Sequence, residues 1–248
     1  MTIRAVIFDV GFTLVRAEPS EEALVLEAMN AAGLDVDRTD LARATRAVMA
    51  EERRQPGRDL DVWASDSNIE QYWTGFYQRL LAQLDVVPDR RLAVAERIYA
   101  QFVAHASWTL YPEVEPVLAE LQQRGYILGA VSDWQTVLLE LVHQLELSRY
   151  LEFVVVSAVI GLGKPDPLLF RHAIQRAGVA PQEALFVGDT YATDILGARA
   201  AGLRPVLIAR THRPPVADVP IIQTLNELFN VLPPGGSASI IRRDDSQR

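Results

Sequence analysis

The sequence predicts an α/β protein, a doubly wound parallel-sheet core into which a helical bundle is inserted. Three observations predict it. Several short β-branched runs are almost continuously apolar, as strands covered on both faces must be. Helical patterns separate the later runs, the signature of βαβ units. The first two runs lie more than a hundred residues apart, and the stretch between them carries only amphipathic helical patterns.

Taken in order, IRAVIFD (3 to 9) reads as the first buried strand. Four segments follow with apolar residues at three-to-four spacing: EEALVLEAMNAAGL, LARATRAVMAEERR, IEQYWTGFYQRLLAQL and RLAVAERIYAQFVAHA. A structureless loop of that length is uncommon, so they are expected to form a helical cap over residues 16–108. No strand-like run is read between the first strand and the second. Beyond the cap, a helix at 113–124 leads to the strand YILGAVS (126 to 132), and a helix at 134–147 to EFVVVS (152 to 157). A helix at 167–178 leads to ALFVG (184 to 188), and one at 192–201 to PVLIA (205 to 209). The core is thus expected over 1–15 and 109–232. The tail PPGGSASIIRRDDSQR (233 to 248) mixes Pro, Gly, Ser and charge and reads as a frayed, flexible end.

Composition narrows the function classes. With 248 residues, 49% of them hydrophobic, the chain can bury a sizeable core and carry a second small domain. No stretch reaches the roughly 18 apolar residues of a membrane span, and MTIRAVIFDV lacks the layout of a signal peptide, so no membrane partner and a cytoplasmic location are expected. The absence of cysteine excludes disulfides, thiolate zinc sites and cysteine nucleophiles together. A net charge of -8 argues against nucleic acid as a partner, because phosphate backbones are held by clustered Lys and Arg. Lys164 is the one lysine in the chain, so a position that keeps it suggests a need for a compact amine.

Open parallel sheets bind ligands beyond the carboxyl ends of their strands, so the residues following each strand matter most. There stand Asp9, Ser132, Lys164 in the loop after the third strand, and Gly188 with Asp189. Each has a plain structural alternative: the aspartates and the serine as helix N-caps, the lysine as a surface charge. Their convergence on one sheet edge is harder to explain structurally.

These residues resemble the haloacid dehalogenase superfamily, in its subfamily with a helical cap between the first two motifs, and the resemblance covers nearly the whole chain. FDVGFTL is similar to the first motif, whose leading aspartate, Asp9, is the nucleophile. VSD (131 to 133) resembles the second, where the Ser132 hydroxyl, with Asp133 beside it, holds the phosphoryl group. GKPDP (163 to 167) is similar to the third, with Lys164 orienting nucleophile and phosphate. VGDTYATD (187 to 194) resembles the fourth, with Asp189 on the metal and Asp194 supporting. The resemblance implies a Rossmann-like fold and a phosphatase acting on a small phosphorylated metabolite through an aspartyl phosphate. It also implies metal held by Asp9, Asp189 and the backbone carbonyl of Gly11. A phosphate dianion near three carboxylates needs a cation, and Mg²⁺ suits an all-oxygen site that keeps several waters.

One position departs from the pattern. Phosphatases of the superfamily usually carry a second aspartate where this chain has Gly11, and general acid–base catalysis is typically worth 10²- to 10⁴-fold. Glycine there also allows a backbone with positive φ. Two other readings therefore stay open: a 2-haloacid dehalogenase, whose halide needs no proton but which works without Mg²⁺, and a regulator that binds phosphate or metabolite without efficient turnover. The phosphonate-cleaving branch needs a cap lysine, which residues 16–108 lack, and a receiver domain lacks the large insertion. Within the cap, Trp63, Tyr72, Trp73, Phe76 and Tyr77 at helical spacing are read as core filling, and Arg53 and Arg54 as a solvated helix end. His105 and His143 show no metal-ligand spacing. Nothing in the sequence chooses between a monomer and a homodimer.

Overall fold

The computed structural model describes residues 2–53, 61–104, 108–210 and 218–232; the expected tail, Arg54 and His105 lie outside them. The chain opens with β1 (Ala5–Phe8), whose four residues are all buried. Its side chains alternate with the two-residue period of a strand: Val6 and Phe8 enter one apolar cluster, Ala5 and Ile7 the other. The sheet therefore has a packed layer on each face.

A short strand, β2 (Val15–Ala17), precedes the helices α1 (Glu21–Ala31), α2 (Arg38–Arg53), α3 (Asp66–Gln83) and α4 (Pro88–Val103), after which β3 (Trp108–Leu110) returns the chain. These helices form where the apolar spacing predicts them. Ser20 caps α1 by accepting from the Ala23 N–H and Ser65 caps α3 by accepting from the Asn68 N–H, while Pro88 opens α4. They close around their own core, in which Met29, Val48, Leu80, Leu81 and Ile98 are almost completely buried.

The rest of the chain alternates helix and strand: α5 (Val114–Gln123), β4 (Ile127–Ser132), α6 (Leu138–Gln144), β5 (Phe153–Val156), α7 (Ser157–Ile160), α8 (Pro167–Ala177), β6 (Ala184–Gly188), α9 (Leu196–Ala200), β7 (Arg204–Ile208), β8 (Ile221–Ile222) and α10 (Leu228–Val231). The main sheet has the order β5-β4-β1-β6-β7-β8 with every pair parallel. Helices α5 and α6 pack with one apolar cluster, α8 and α9 with the other, so the core is doubly wound and Rossmann-like. The chain builds outward from β1 through β4 to β5, then crosses back to β6. The direction of winding thus reverses beside β1, the position at which such sheets open a crevice.

The structure corrects the sequence reading in four places. Strands do occur between the first and second predicted runs: β2 and β3 pair antiparallel, with Val15 opposite Leu110 and Ala17 opposite Trp108. Each has three residues, too few for a periodic signal. The helix expected at 134–147 shrinks to α6, because residues before it form a loop in which Trp134 N–H donates to the Ser157 hydroxyl at 3.0 Å. Glu146, left-handed at φ 56°, breaks it at the other end. The helix expected at 192–201 begins as a wide π-turn over Tyr191–Ile195 before α9. Strand β8 and helix α10, which the sequence reading did not separate from the end of the core, extend the sheet edge and its cover.

Candidate active site

Asp9 follows β1 directly, and its N–H still donates to the Val187 carbonyl at 2.8 Å, so the sheet fixes where the side chain begins. That side chain is 6% exposed. Lys164 reaches it from the loop after α7, its Nζ donating to Asp9 Oδ1 at 2.6 Å and to Asp194 Oδ1 at 2.7 Å. The other oxygen of Asp194 accepts the Thr190 N–H at 2.9 Å, an arrangement that the π-turn makes possible. Gly188 is required at the end of β6, since a Cβ there would stand 2.4 Å from Asp194 Cγ. Asp133 Oδ1 accepts the backbone N–H of Lys164 at 2.9 Å and so anchors the lysine loop to the end of β4.

Ligand oxygens of Asp9, Asp189 and Asp194 lie within 4.8 Å of one another, a separation that fits three carboxylates around one cation. Asp194 already spends each oxygen on an N–H donor, whereas Asp9 Oδ2 receives no hydrogen bond from the described residues. The donor set therefore divides into Asp9 and Asp189, open toward a cation, and Asp194, which holds the amine. Electrostatics agree with that division. Burial pushes the Asp9 carboxyl up to about 8, the Lys164 charge opposing and the Asp194 and Asp189 charges adding. Burial, then the Asp194 charge, raises Asp189 to about 6. Desolvation disfavours the lysine ammonium, but the charges of Asp194, Asp9 and Asp133 outweigh it and hold Lys164 protonated. Three acids share one amine, leaving negative charge that a divalent cation would balance.

Of the residues singled out by the sequence, Asp9, Gly11, Ser132, Asp133, Lys164, Asp189 and Asp194 line one cavity of about 360 Å³, whereas Gly188 lies behind it. Ser132 is 1% exposed at the end of β4. The opposite wall comes from the helical insertion and the β2–β3 ribbon, with Trp63, Trp73, Tyr77, Phe102 and Trp108 facing the same space. The core-filling expectation for the aromatic residues thus needs correction: Phe76 and Tyr77 do join the insertion's core, yet Trp63, Trp73 and Tyr77 line the cavity. His143 is exposed on α6, away from it.

Gly11 keeps an unexpected neighbour. A Cβ there would lie 3.1 Å from the Trp134 ring, so the indole occupies the side where an acidic side chain would project. Positive φ falls on Phe12, at 55°, and not on Gly11. Sequence reasoning missed Arg210, which follows β7. Its guanidinium donates to the carbonyls of Phe12 at 3.1 Å and Thr13 at 2.6 Å, pairs with Glu113 at 2.7 Å and lies over the Tyr111 ring at 3.4 Å. It clamps the turn that follows Asp9. No local pattern separates it from the other arginines of the chain.

Residues 3–202 match the family model described as "Hydrolase: haloacid dehalogenase-like hydrolase". A glyceraldehyde 3-phosphate phosphatase of Methanopyrus kandleri is 33% identical over 219 residues, spanning 84% of each chain. The haloacid dehalogenase-like hydrolase domain-containing protein 3 of Bos taurus is 29% identical over 238 residues, 94% of each. Among solved structures, a phosphatase of the same superfamily from Thermococcus onnurineus superposes with a TM-score of 0.61 at 27% identity, covering 95% of this chain and 99% of that one.

Proposed function

The chain belongs to the haloacid dehalogenase-like hydrolases, and from that premise we propose that it is a Mg²⁺-dependent phosphatase of small phosphorylated metabolites. The observation that carries the proposal is the Lys164 amine bridging Asp9 and Asp194 beside Asp189, all within one cavity at the strand ends. Phosphatases among the relatives support it. In this reading the insertion, residues 16–108, is a cap over the core formed by 1–15 and 109–232, and shields the reaction from bulk water.

Lys164 holds and orients the Asp9 carboxylate, which attacks phosphorus to form an aspartyl phosphate as the ester P–O bond breaks. Ser132 and the Lys164 ammonium hold the phosphoryl oxygens as charge spreads over them, and Asp133 fixes the lysine loop. Asp194 acts through Lys164. Asp9, Asp189 and the Gly11 carbonyl would hold Mg²⁺, which supplies positive charge to the phosphate oxygens. The departing oxygen takes its proton from water or from the substrate, because Gly11 offers none. A water molecule then attacks phosphorus, releasing inorganic phosphate and restoring the Asp9 carboxylate.

The indole against Gly11 favours one second reading, a binder of phosphorylated compounds with slow turnover. A panel of phosphate esters assayed with Mg²⁺ and with EDTA decides between them. Mg²⁺-dependent phosphate release supports the phosphatase; tight binding without release at any ester supports the binder.

A further inference from the structure

The cavity wall opposite Asp9 is both aromatic and acidic. Trp63, Trp73, Tyr77 and Phe102 form one run of rings with centroids 6.5, 6.1 and 6.0 Å apart along it. Trp108 and Trp134, 4.7 Å apart, form the adjoining side, and the Trp108 indole N–H donates to the Phe102 carbonyl at 2.7 Å, tying the two sides together. All four tryptophans of the chain line this one space.

Glu21, the first residue of α1, also lines it, near enough to Tyr77 that its charge adds to the burial that raises that phenol's pKa. Glu21 itself stands at the solvent-exposed rim of this wall, and the protein packed around its carboxyl raises its pKa from the ordinary value. No hydrogen bond or ion pair engages it among the described residues. The described lining offers five carboxylates (Asp9, Glu21, Asp133, Asp189 and Asp194) against one cation, Lys164, which is already committed to Asp9 and Asp194. A second anionic group on a substrate would meet only repulsion at the aromatic end. Electron-rich ring faces beside an unpaired carboxylate favour the opposite charge.

Resting on the phosphatase reading, we propose that the leaving group is cationic: the substrate is a phosphate ester of an amino alcohol, its alkylammonium held by the ring faces and Glu21. The ester thus spans the cavity with its dianion toward Lys164 and its cation toward Glu21.

The test compares choline phosphate with 3,3-dimethylbutyl phosphate, which has the same shape without the charge. With Mg²⁺, kcat/KM is expected to favour choline phosphate by about tenfold, within the range of cation–π contacts at partly exposed sites. Glu21→Gln is expected to shrink that ratio, read within each protein so that any general loss cancels. Equal kcat/KM for the pair, or a ratio that Glu21→Gln leaves unchanged, overturns the proposal. Tryptophan fluorescence titrated with choline and with 3,3-dimethylbutanol gives a reading that needs no turnover. Tighter binding of choline supports a cation site even if no ester is hydrolysed, in which case the phosphatase reading alone falls; equal affinities reject the cation site whatever the esters do.

Discussion

The two walls of the cavity are built by different rules. On the sheet side, Asp9, Lys164 and Asp194 are buried ionisable groups, each held by a named partner within 3 Å and each placed by the end of a strand or the loop beyond it. On the helical side, Trp63, Trp73 and Tyr77 meet ring to ring, held by apolar packing and by the angle at which helices cross. Charge networks tolerate little displacement, because removing one partner strands another in low dielectric. Apolar walls can be repacked at modest cost. The comparison teaches that changes on the sheet side should act on every substrate alike, whereas changes on the helical side should reorder substrates.

The harshest trial of that division is Asp9→Asn, expected to lower kcat by on the order of 10⁴-fold or more for every ester, because the proposed mechanism loses its nucleophile. Initial rates on aryl and alkyl phosphates check it, and loss confined to some esters would break the distinction. Next comes the proton supply. Aryl phosphates, whose leaving groups are stable as anions, should outpace alkyl phosphates in the parent. Gly11→Asp alone should close little of this gap, since Trp134 stands 3.1 Å from the new Cβ. Joined with Trp134→Ala, it should raise alkyl turnover by up to roughly 10²- to 10⁴-fold. Equal aryl and alkyl rates in the parent would mean that another group already donates the proton.

Lys164→Arg preserves charge but replaces a compact amine, bonded at 2.6 and 2.7 Å, by a wider planar fork. Turnover should fall by about 10²-fold on all substrates, the scale of one misplaced electrostatic donor. Unchanged rates would make this lysine incidental. A thermal measurement probes the same wall without catalysis. Asp9 titrates near 8 in the folded, metal-free protein, against 3.8 ordinarily, so the folded state binds its proton more tightly than the unfolded chain. Its contribution to stability is therefore lost as pH rises from about 4 to about 8. In EDTA, the melting temperature of Asp9→Asn minus that of the parent should grow across this window; a constant difference would show an ordinary carboxylate.

The smallest effect is expected where the walls meet. Asp66, at the start of α3, accepts the Thr136 N–H at 2.8 Å and its hydroxyl at 2.6 Å, joining the insertion to the loop beyond β4. Asp66→Ala should raise KM a few-fold and change kcat little, because exposed hydrogen bonds contribute only about 1 kcal/mol each. Steady-state kinetics decides; a large fall in kcat would show that this bond also orders the chemistry.

How legible each wall was in the sequence follows from the same contrast. Asp9, Ser132 and Asp189 stand out because an apolar run ends abruptly in a polar residue, and in a parallel sheet all such ends face one way. Lys164 stands out against a background of arginine. The helical segments were readable too, but not which side their rings would face. Trp73, Phe76 and Tyr77 lie on adjoining faces of α3, and only the crossing of neighbouring helices decides that Phe76 is enclosed while Trp73 meets the cavity. Contacts between residues remote in sequence left no local trace at all. Trp134 against Gly11, and Arg210 on the Phe12 and Thr13 carbonyls, are of this kind.

The β2–β3 ribbon gives the insertion a single splice point. With Ala17 opposite Trp108, the chain leaves and rejoins the core at one place, and residues 18–107 hang from it as a closed excursion. Closing a loop costs free energy that grows only with the logarithm of its length, about 0.6 kcal/mol per doubling. Lengthening, trimming or exchanging that excursion would therefore disturb the sheet very little. An architecture of this sort lets selectivity drift between lineages while the chemistry beneath it is inherited intact.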